Sequence, residues 1–170
     1  MGYATVFLYM FQSGIPVRHR RLARWRGRLG TAVSLRLDEW VVLVEAFATL
    51  LTVQAGLHAI GFPRIVAWAS RVRPGAAGAG TRDRVARIAW LVDVASRTTG
   101  LRCLPRSLAL TRVLTRRGVP ATLRIGVRTV DGALLAHAWV ESMGRALNDD
   151  ERSLQQFTAF DRILSKVPSA

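Results

Sequence analysis

The chain has 170 residues, half of them apolar, a formal net charge of +14 and a single cysteine. This length suits one compact domain with an extension, and the apolar content is sufficient for a buried core. A lone cysteine excludes an intrachain disulfide and a multi-cysteine metal site, and arginines spread along the chain do not form the basic, aromatic-rich patch typical of nucleic-acid binding.

The N-terminal residues 1–33 join an apolar start, Tyr3 to Phe11, to an arginine-rich stretch, Arg18 to Arg28. This order is the reverse of a secretory signal, in which the charged region precedes the apolar one. We therefore expect a poorly ordered basic segment in a cytoplasmic protein.

Residues 34–73 are predicted to form a long helix and then, after Pro63, a shorter basic helix. Between Val41 and Phe62 only Glu45 and His58 are ionisable, and this length approaches the ~20 residues of a membrane span. A glutamate near the middle of a span would be costly in lipid. The pattern therefore favours a buried helix, and membrane contact is the alternative.

A linker and a capped helix come next. Residues 74–80 consist of proline, glycine and alanine, which is typical of a linker. Thr81 is suited to an N-cap, and the following residues form an apolar helical stripe: Val85, Ile88, Ala89, Val92 and Ala95. The sequence thus predicts a second region over residues 81–170.

The next predicted helix begins at the cysteine. Gly100 ends the preceding helix, Pro105 suits a first turn, and Gly118 is placed for a left-handed C-cap. Unpaired N–H groups and the dipole at a helix N-terminus favour a thiolate. Cys103 is therefore a candidate nucleophile, and the alternative is a buried cysteine without a chemical role.

Two strands follow Pro120. Apolar and polar residues alternate over the first strand, Asp131-Gly132 predicts a hairpin turn, and the return strand 133–141 carries His137. A histidine fixed on a strand after Cys103 is the imidazole partner that a nucleophilic cysteine needs. The alternative is a histidine that serves only the core.

A carboxylate would complete a triad by orienting the imidazole. A three-residue loop 142–144 would place Asp149 opposite His137 on the next strand, whereas a two-residue turn would place Asp150 there. Glu141 shares a face with His137 but lies four positions away on the same strand. We favour Asp149.

Beyond Asp150 the sequence signal weakens. Several apolar residues are predicted to pack onto the domain: Phe157, Phe160, Ile163 and Leu164. The sequence contains no internal repeat, phosphate-binding glycine loop or metal-ligand spacing, so no cofactor or metal is expected.

Four motifs occur in this order: Cys103 to Leu110, Arg117 to Ala121, Leu123 to Val127, and His137 to Glu141. Together they resemble the transglutaminase-like cysteine peptidases of bacterial lasso-peptide biosynthesis. The resemblance is close over about residues 81 to 150 and looser over the helical segment before them. By this resemblance the catalytic residues are Cys103, His137 and Asp149.

The resemblance implies an α+β, papain-like or transglutaminase-like fold with a helical N-terminal extension, in which a cysteine-bearing helix packs on a small antiparallel sheet bearing histidine and aspartate. The implied activity is a thiol protease that removes the leader of a precursor peptide. A separate leader-recognition protein would assist it, and an asparagine-synthetase-like cyclase would act afterwards. The alternatives are an acyltransferase that uses the same triad and a non-catalytic, membrane-associated adaptor.

Overall fold

A computed structural model describes residues 35–71, 81–130 and 132–159. The predicted basic segment 1–33, the linker 74–80 and the apolar residues Phe160, Ile163 and Leu164 lie outside these ranges, as does Asp131 of the predicted hairpin turn. The described part is an α+β arrangement of helices followed by an antiparallel sheet.

Four helices precede the sheet within the described ranges. They are α1 Leu37–Ala59, α2 Phe62–Ser70, α3 Arg82–Thr99 and α4 Cys103–Thr115. Pro63 lies in the first turn of α2, where its missing N–H has no intrahelical acceptor to lose. The hydroxyl of Thr81 accepts a hydrogen bond from Arg84 N at 3.4 Å, which confirms the predicted N-cap of α3.

The connection between α3 and α4 determines where the cysteine lies. Gly100 has φ of +68°, and Leu101 N donates to Ser96 O at 3.2 Å. Glycine adopts this left-handed helix end without the steric cost of a Cβ atom. The chain therefore reverses within a short connection, and α4 begins at Cys103, as predicted.

Within the described ranges the sheet has four antiparallel strands in the order β3-β2-β1-β4. They are β1 Thr122–Val130, β2 Ala133–Ser142, β3 Arg145–Ala146 and β4 Thr158–Ala159, with a one-turn helix α5 Glu151–Leu154 between β3 and β4. Val130 pairs with Ala133, which confirms a two-residue connection between β1 and β2.

The turn between β2 and β3 differs from the prediction. Ser142 pairs with Arg145, so Met143 and Gly144 form a two-residue turn with φ of 51° and 74°. The predicted three-residue loop is wrong because it allowed a positive φ at Gly144 alone. A type I′ turn needs positive φ at both residues, and its twist matches that of the paired strands.

Helix α4 lies at the centre of the core. Five of its apolar side chains have no exposed surface: Leu108, Ala109, Leu110, Val113 and Leu114. They pack with α1, α3 and Val140 on one side, and with α2, Ile125 and Ala138 on the other. Burying a side chain such as leucine contributes about 1.5–3 kcal/mol. This packing fixes α4 against β2.

Helix α1 is buried along one side only. Its buried side chains include Leu43, Ala46, Leu50 and Val53, whereas Leu37, Val41, Val44 and Leu51 are exposed. By length and composition α1 could cross a membrane, but 22% of its most apolar stretch is buried in the fold. The prediction of a buried helix is thus correct for one face only, and the arrangement is compatible with a soluble or a membrane-associated protein.

Candidate active site

Cys103 is the first residue of α4, and its side chain is partly buried. Arg102 precedes it as an extended N-cap residue. The first N–H groups of a helix have no intrahelical acceptor, and Pro105 has no N–H at all, so those of Cys103 and Leu104 remain at the helix end. The end of α4 therefore surrounds the sulfur with a field that favours negative charge.

His137 on β2 contacts both of the other predicted site residues. Its Nε2 lies 2.5 Å from Asp149 Oδ2, and the Cys103 side chain is close enough to the imidazole to contribute to the raised pKa of His137. Because Nε2 is engaged by the carboxylate, Nδ1 is the ring nitrogen that remains for the thiol. The structure thus brings the three residues together in the order thiol, imidazole, carboxylate.

Two aromatic rings lie next to the imidazole of His137. The ring centroid of Phe157 lies 5.3 Å from it, and that of Trp139, almost parallel to it, lies 6.3 Å away. A Cβ atom on Gly126 would lie 3.0 Å from Phe157 Cβ and 3.0 Å from Trp139 Cη2. The absence of a side chain at Gly126 is therefore what allows Phe157 to pack beside His137.

Asp149 reaches His137 by leaving the β-ladder. In the observed register Leu147 N still donates to Val140 O at 2.9 Å, and continued pairing would place residue 150 opposite His137. The next ladder partner is a side chain instead, because Val140 N donates to Asn148 Oδ1 at 2.9 Å. The backbone departs from β2 at this point, and this departure brings Asp149 to the imidazole.

Asn148 joins the helix to the sheet. Its Nδ2 donates to Ser107 Oγ at 2.8 Å, and Ser107 Oγ donates in turn to Ala138 O at 2.9 Å. Ser107 has no exposed surface, so these polar groups satisfy one another in the interior. This network holds the residue before Asp149 and the helix that carries Cys103 in one position.

Arg106 holds the carboxylate from the other side. Its Nη2 donates to Asn148 O at 3.2 Å and lies 3.8 Å from Asp149 Oδ2, while Nη1 donates to Asp93 Oδ1 at 3.1 Å. The Arg106 side chain is only 21% exposed, so these contacts are weakly screened by solvent. Arg106 therefore links α3, α4 and the segment after β3.

The two alternative carboxylates lie elsewhere. Asp150 is exposed and is the N-cap residue of α5, and its N–H donates to Asp149 Oδ1 at 3.1 Å. Glu141 accepts hydrogen bonds from Trp139 Nε1 at 2.9 Å and Arg124 Nε at 3.0 Å. Of the three candidates, Asp149 is the carboxylate that contacts His137.

The electrostatics of the site stabilise an ion pair. Burial disfavours the charged imidazole, but the hydrogen bonds to Asp149 and Cys103 outweigh it and raise the pKa of His137 to about 9. Burial also opposes the ionised carboxyl, yet the hydrogen bond to His137, together with the nearby positive charges, lowers the pKa of Asp149. At neutral pH the pair is therefore imidazolium and carboxylate.

A large open groove of about 1310 Å³ lies along the site. Cys103, His137 and Asp149 line it together with residues of α3 and of the β2–β3 turn. Within the described ranges no group of three or more histidine, cysteine, aspartate or glutamate side chains could hold a metal ion. The chemistry available to the groove residues is nucleophilic attack by sulfur with proton transfer by imidazole.

The profile of the transglutaminase-like superfamily matches residues 47–161, which is more than half of the chain. The chain belongs to the transglutaminase-like superfamily. No curated protein and no solved structure matches it. Membership of this superfamily indicates cysteine peptidase or acyl-transfer chemistry.

The transglutaminase-like assignment also confirms the predicted fold class. The described chain has a cysteine-bearing helix packed on an antiparallel sheet that bears the histidine, together with helical elements at its N-terminal side. The superfamily match begins within α1, so it includes α2 and the second half of α1 as well as the segment that carries Cys103, His137 and Asp149.

Several residues of this transglutaminase-like site were not predicted from the sequence. The sequence predicts only that Phe157 packs on the domain, and it predicts no contact for Arg106. The roles of Asn148 and Ser107 have no periodic signal, because the hydrogen bond between them joins residues 41 positions apart in the chain. Gly126 gave one weak signal, since a glycine within a strand often marks a close approach of other groups.

Proposed function

We propose that this chain is a cysteine peptidase that removes the leader from a ribosomally synthesised lasso-peptide precursor. The observation that carries the proposal is the thiol, imidazole and carboxylate sequence of Cys103, His137 and Asp149 on the wall of an open groove. An open groove of this size suits an extended peptide. The motif resemblance around Cys103 and His137 supports the choice of a lasso precursor.

Acylation begins with the Cys103 thiolate and the His137 imidazolium. The sulfur attacks the scissile carbonyl carbon, a C–S bond forms, and the carbonyl oxygen becomes an oxyanion. As the C–N bond breaks, His137 Nδ1 gives its proton to the departing amine. Asp149 stabilises the imidazolium before this transfer and keeps the ring oriented during it.

Deacylation returns the site to its starting state. His137, now neutral, takes a proton from water, and the resulting hydroxide equivalent attacks the thioester carbon. The C–S bond breaks, the leader is released as a carboxylate, and the thiolate is regenerated beside the imidazolium. The reaction consumes one water molecule and needs no other reactant.

The N-terminus of α4 is suited to stabilise the oxyanion. The backbone N–H of Cys103 is the first donor, because it lies at the residue that forms the C–S bond. Removal of a donor of this kind typically costs on the order of 10²–10³ in turnover in other enzymes.

The proposed reaction involves two further proteins. A separate leader-recognition protein would present the precursor and raise its effective concentration at the groove. An asparagine-synthetase-like, ATP-dependent cyclase would then use the amine freed by cleavage to close the macrolactam. We place these steps in the cytoplasm.

Acyl transfer to an amine is the second candidate, and superfamily membership is the observation that favours it. The steps up to the thioester are identical, and the amine replaces water in the last one. Trapping the acyl-enzyme and measuring its partition between water and added amines separates the two candidates, because a peptidase yields the free carboxylate even when amines are present.

The test is incubation of precursor with the chain and the leader-recognition protein, followed by mass spectrometry. We expect separate leader and core fragments with the wild type and none with Cys103→Ala, since the covalent route needs the sulfur. Ser153→Ala is the control, because Ser153 also lines the groove but lies outside the triad.

Two results would contradict the proposal. Cleavage that persists in Cys103→Ala would remove the peptidase assignment. Full turnover at low micromolar precursor without the leader-recognition protein would contradict the need for a separate partner but not the peptidase assignment.

A further inference from the structure

The outer face of α1 has a period of 3.5 residues. Its apolar residues, here called the α1 seam, are separated alternately by four and three positions: Leu37, Val41, Val44, Ala48, Leu51 and Ala55. This alternation is the pattern of a coiled-coil helix, in which one row of side chains packs against a second helix. The α1 seam therefore has the form of a helix-binding surface.

The α1 seam is exposed over its whole length. Leu37 is 86% exposed, and Val41, Val44 and Leu51 are 64%, 63% and 61% exposed. Ala48 and Ala55 are exposed as well. A continuous apolar row of this kind on a protein surface usually marks a site of association.

The charges of α1 favour a protein over an anionic membrane as the occupant. The helix contains no lysine or arginine, and two of its three acidic residues, Asp38 and Glu45, flank the seam. Helices that lie in membrane interfaces carry lysine and arginine on their polar face, which attract anionic lipid. The helix itself offers no basic side chain to such a lipid.

We propose that the α1 seam binds the α1 seam of a second copy of this chain in antiparallel orientation. Placing Leu37 opposite Ala55 of the second copy also places Val41 opposite Leu51 and Val44 opposite Ala48. Each alanine then faces a larger side chain, and the layers are filled evenly. The seam is thus complementary to itself about a two-fold axis that crosses it midway between Val44 and Ala48.

A parallel pairing would be poorer. It would place Ala48 against Ala48 and Ala55 against Ala55, and both layers would contain gaps. Underfilled layers cost stability, because the lining atoms lose packing contacts. The distribution of large and small residues therefore selects the antiparallel arrangement.

The charges next to the two-fold axis are compatible with this pairing. Each Glu45 would lie near its own equivalent, but its Oε2 is 2.6 Å from Arg117 Nη2 and its Oε1 is 3.4 Å from Arg116 Nε. The side chain of Arg116 is 46% exposed, so it also remains accessible to the second copy's carboxylate. Two copies would therefore bring together neutralised arginine–glutamate clusters.

The size of the seam predicts a reversible dimer. A helical segment of 19 residues is about 28 Å long, and only one narrow row of side chains would be buried. Small interfaces of this kind are typical of weak, transient association. We expect dissociation in the micromolar range.

Sedimentation equilibrium of the full chain tests the proposal. We expect a monomer–dimer equilibrium for the wild type and, for Leu51→Glu, a dissociation constant raised at least about tenfold, because the charge would be buried without a partner. Ala59→Glu is the matched control, since residue 59 is exposed on the same helix but lies beyond the paired layers. Circular dichroism of each variant checks that the fold is retained.

Cross-linking tests the orientation. Val41→Cys and Leu51→Cys, each combined with Cys103→Ser, should form a disulfide-linked dimer when mixed and none when oxidised separately. In the antiparallel pair residue 41 faces residue 51 of the second copy, whereas the two residues 41 are about 15 Å apart along the axis.

Three outcomes would overturn the proposal. A wild type that stays monomeric up to roughly 100 µM, well above a micromolar dissociation constant, would exclude the dimer. Cross-linking of Val41→Cys with itself would show parallel pairing. Co-sedimentation of a monomeric wild type with phosphatidylglycerol vesicles, lost in Leu51→Glu, would show that the seam binds lipid.

Discussion

Gly126 is the cross-strand partner of His137, and the position that its side chain would occupy is filled by Phe157 and Trp139. Phe157 precedes β4, and Thr158 O lies 3.1 Å from the position of a Cβ on Gly126. A residue without a side chain thus determines how closely β4 and its neighbouring ring approach the imidazole.

Gly126→Val should reduce turnover by at least about tenfold. The new side chain would displace Phe157 or β4 from the imidazole, and forcing extra atoms into a packed site typically costs about 1–3 kcal/mol. Turnover of precursor and the thermal unfolding midpoint are the measurements. Thr129→Val is the control, since it places the same valine side chain at an exposed position of the same strand. Equal activity of the two variants would contradict the role of Gly126.

Asp149→Asn should reduce turnover by on the order of 10²–10⁴, because the imidazolium would lose its counter-charge and the ring its orientation. Asp150→Asn should have little effect, since its side chain is exposed and does not contact His137. Single-turnover cleavage of precursor by the two variants is the measurement. The reverse ranking would show that the chain pairs in the continued β2–β3 register when substrate is bound.

Arg106→Gln should lower turnover and also raise the pKa of Asp149, because Arg106 is one of the positive charges that favour the ionised carboxyl. Arg97→Gln is the matched control: Arg97 Nη2 binds the same Asp93 at 2.7 Å but lies at the exposed side of it. We expect the acidic limb of the pH–rate profile to move to higher pH in Arg106→Gln alone. A merely structural role for Arg106 would lower activity without moving that limb.

Stability should fall as pH rises above neutrality. The pKa of folded His137, about 9, lies above its ordinary value of 6.5, so its contribution to stability is fully present below pH 6.5 and is lost as pH rises through about 9. Asp149 acts at the other end, because its lowered pKa gives a contribution that is lost only as pH falls below the ordinary range.

The measurement is the thermal unfolding midpoint between pH 6 and 10 for the wild type and His137→Gln. We expect the difference between the two proteins to shrink between pH 6.5 and about 9. A constant difference over this interval would show that His137 does not hold a proton in the folded state.

Local signals were sufficient to predict much of the fold. The N-cap at Thr81, the helix end at Gly100 and the start of α4 at Cys103 each depend on residues that are neighbours in the chain. The alternation after Pro120 and the β1–β2 turn are local in the same sense. These features follow from backbone preferences, so the sequence reveals them directly.

The position of Asp149 could not be derived in this way. The sequence favoured it through a three-residue loop that does not exist, and the observed turn would have favoured Asp150. Asp149 reaches His137 because Val140 N donates to the Asn148 side chain, and the β2–β3 ladder ends at that point. A side-chain hydrogen bond between two strands produces no periodic pattern in the amino-acid sequence.

The exposure of α1 was also hidden from the sequence. Both faces of the helix are apolar, so periodicity alone does not indicate which face is buried. Tertiary packing decides this: Leu50 and Val53 contact the core, while Leu51 does not. A helix that is apolar on all faces is therefore predicted to be buried, but its sequence does not predict which face stays exposed.

The contacts from Cys103 to His137, from His137 to Asp149 and from Asp149 to Arg106 close into a ring, because Arg106 lies one turn beyond Cys103 on α4. A shift of α4 against the sheet therefore disturbs the contacts of Cys103 and of Arg106 at the same time. Such a shift would therefore break these contacts together and not one after another. We therefore expect the proposed catalysis to be lost as a whole, and not by degrees, when α4 moves from its place against the sheet.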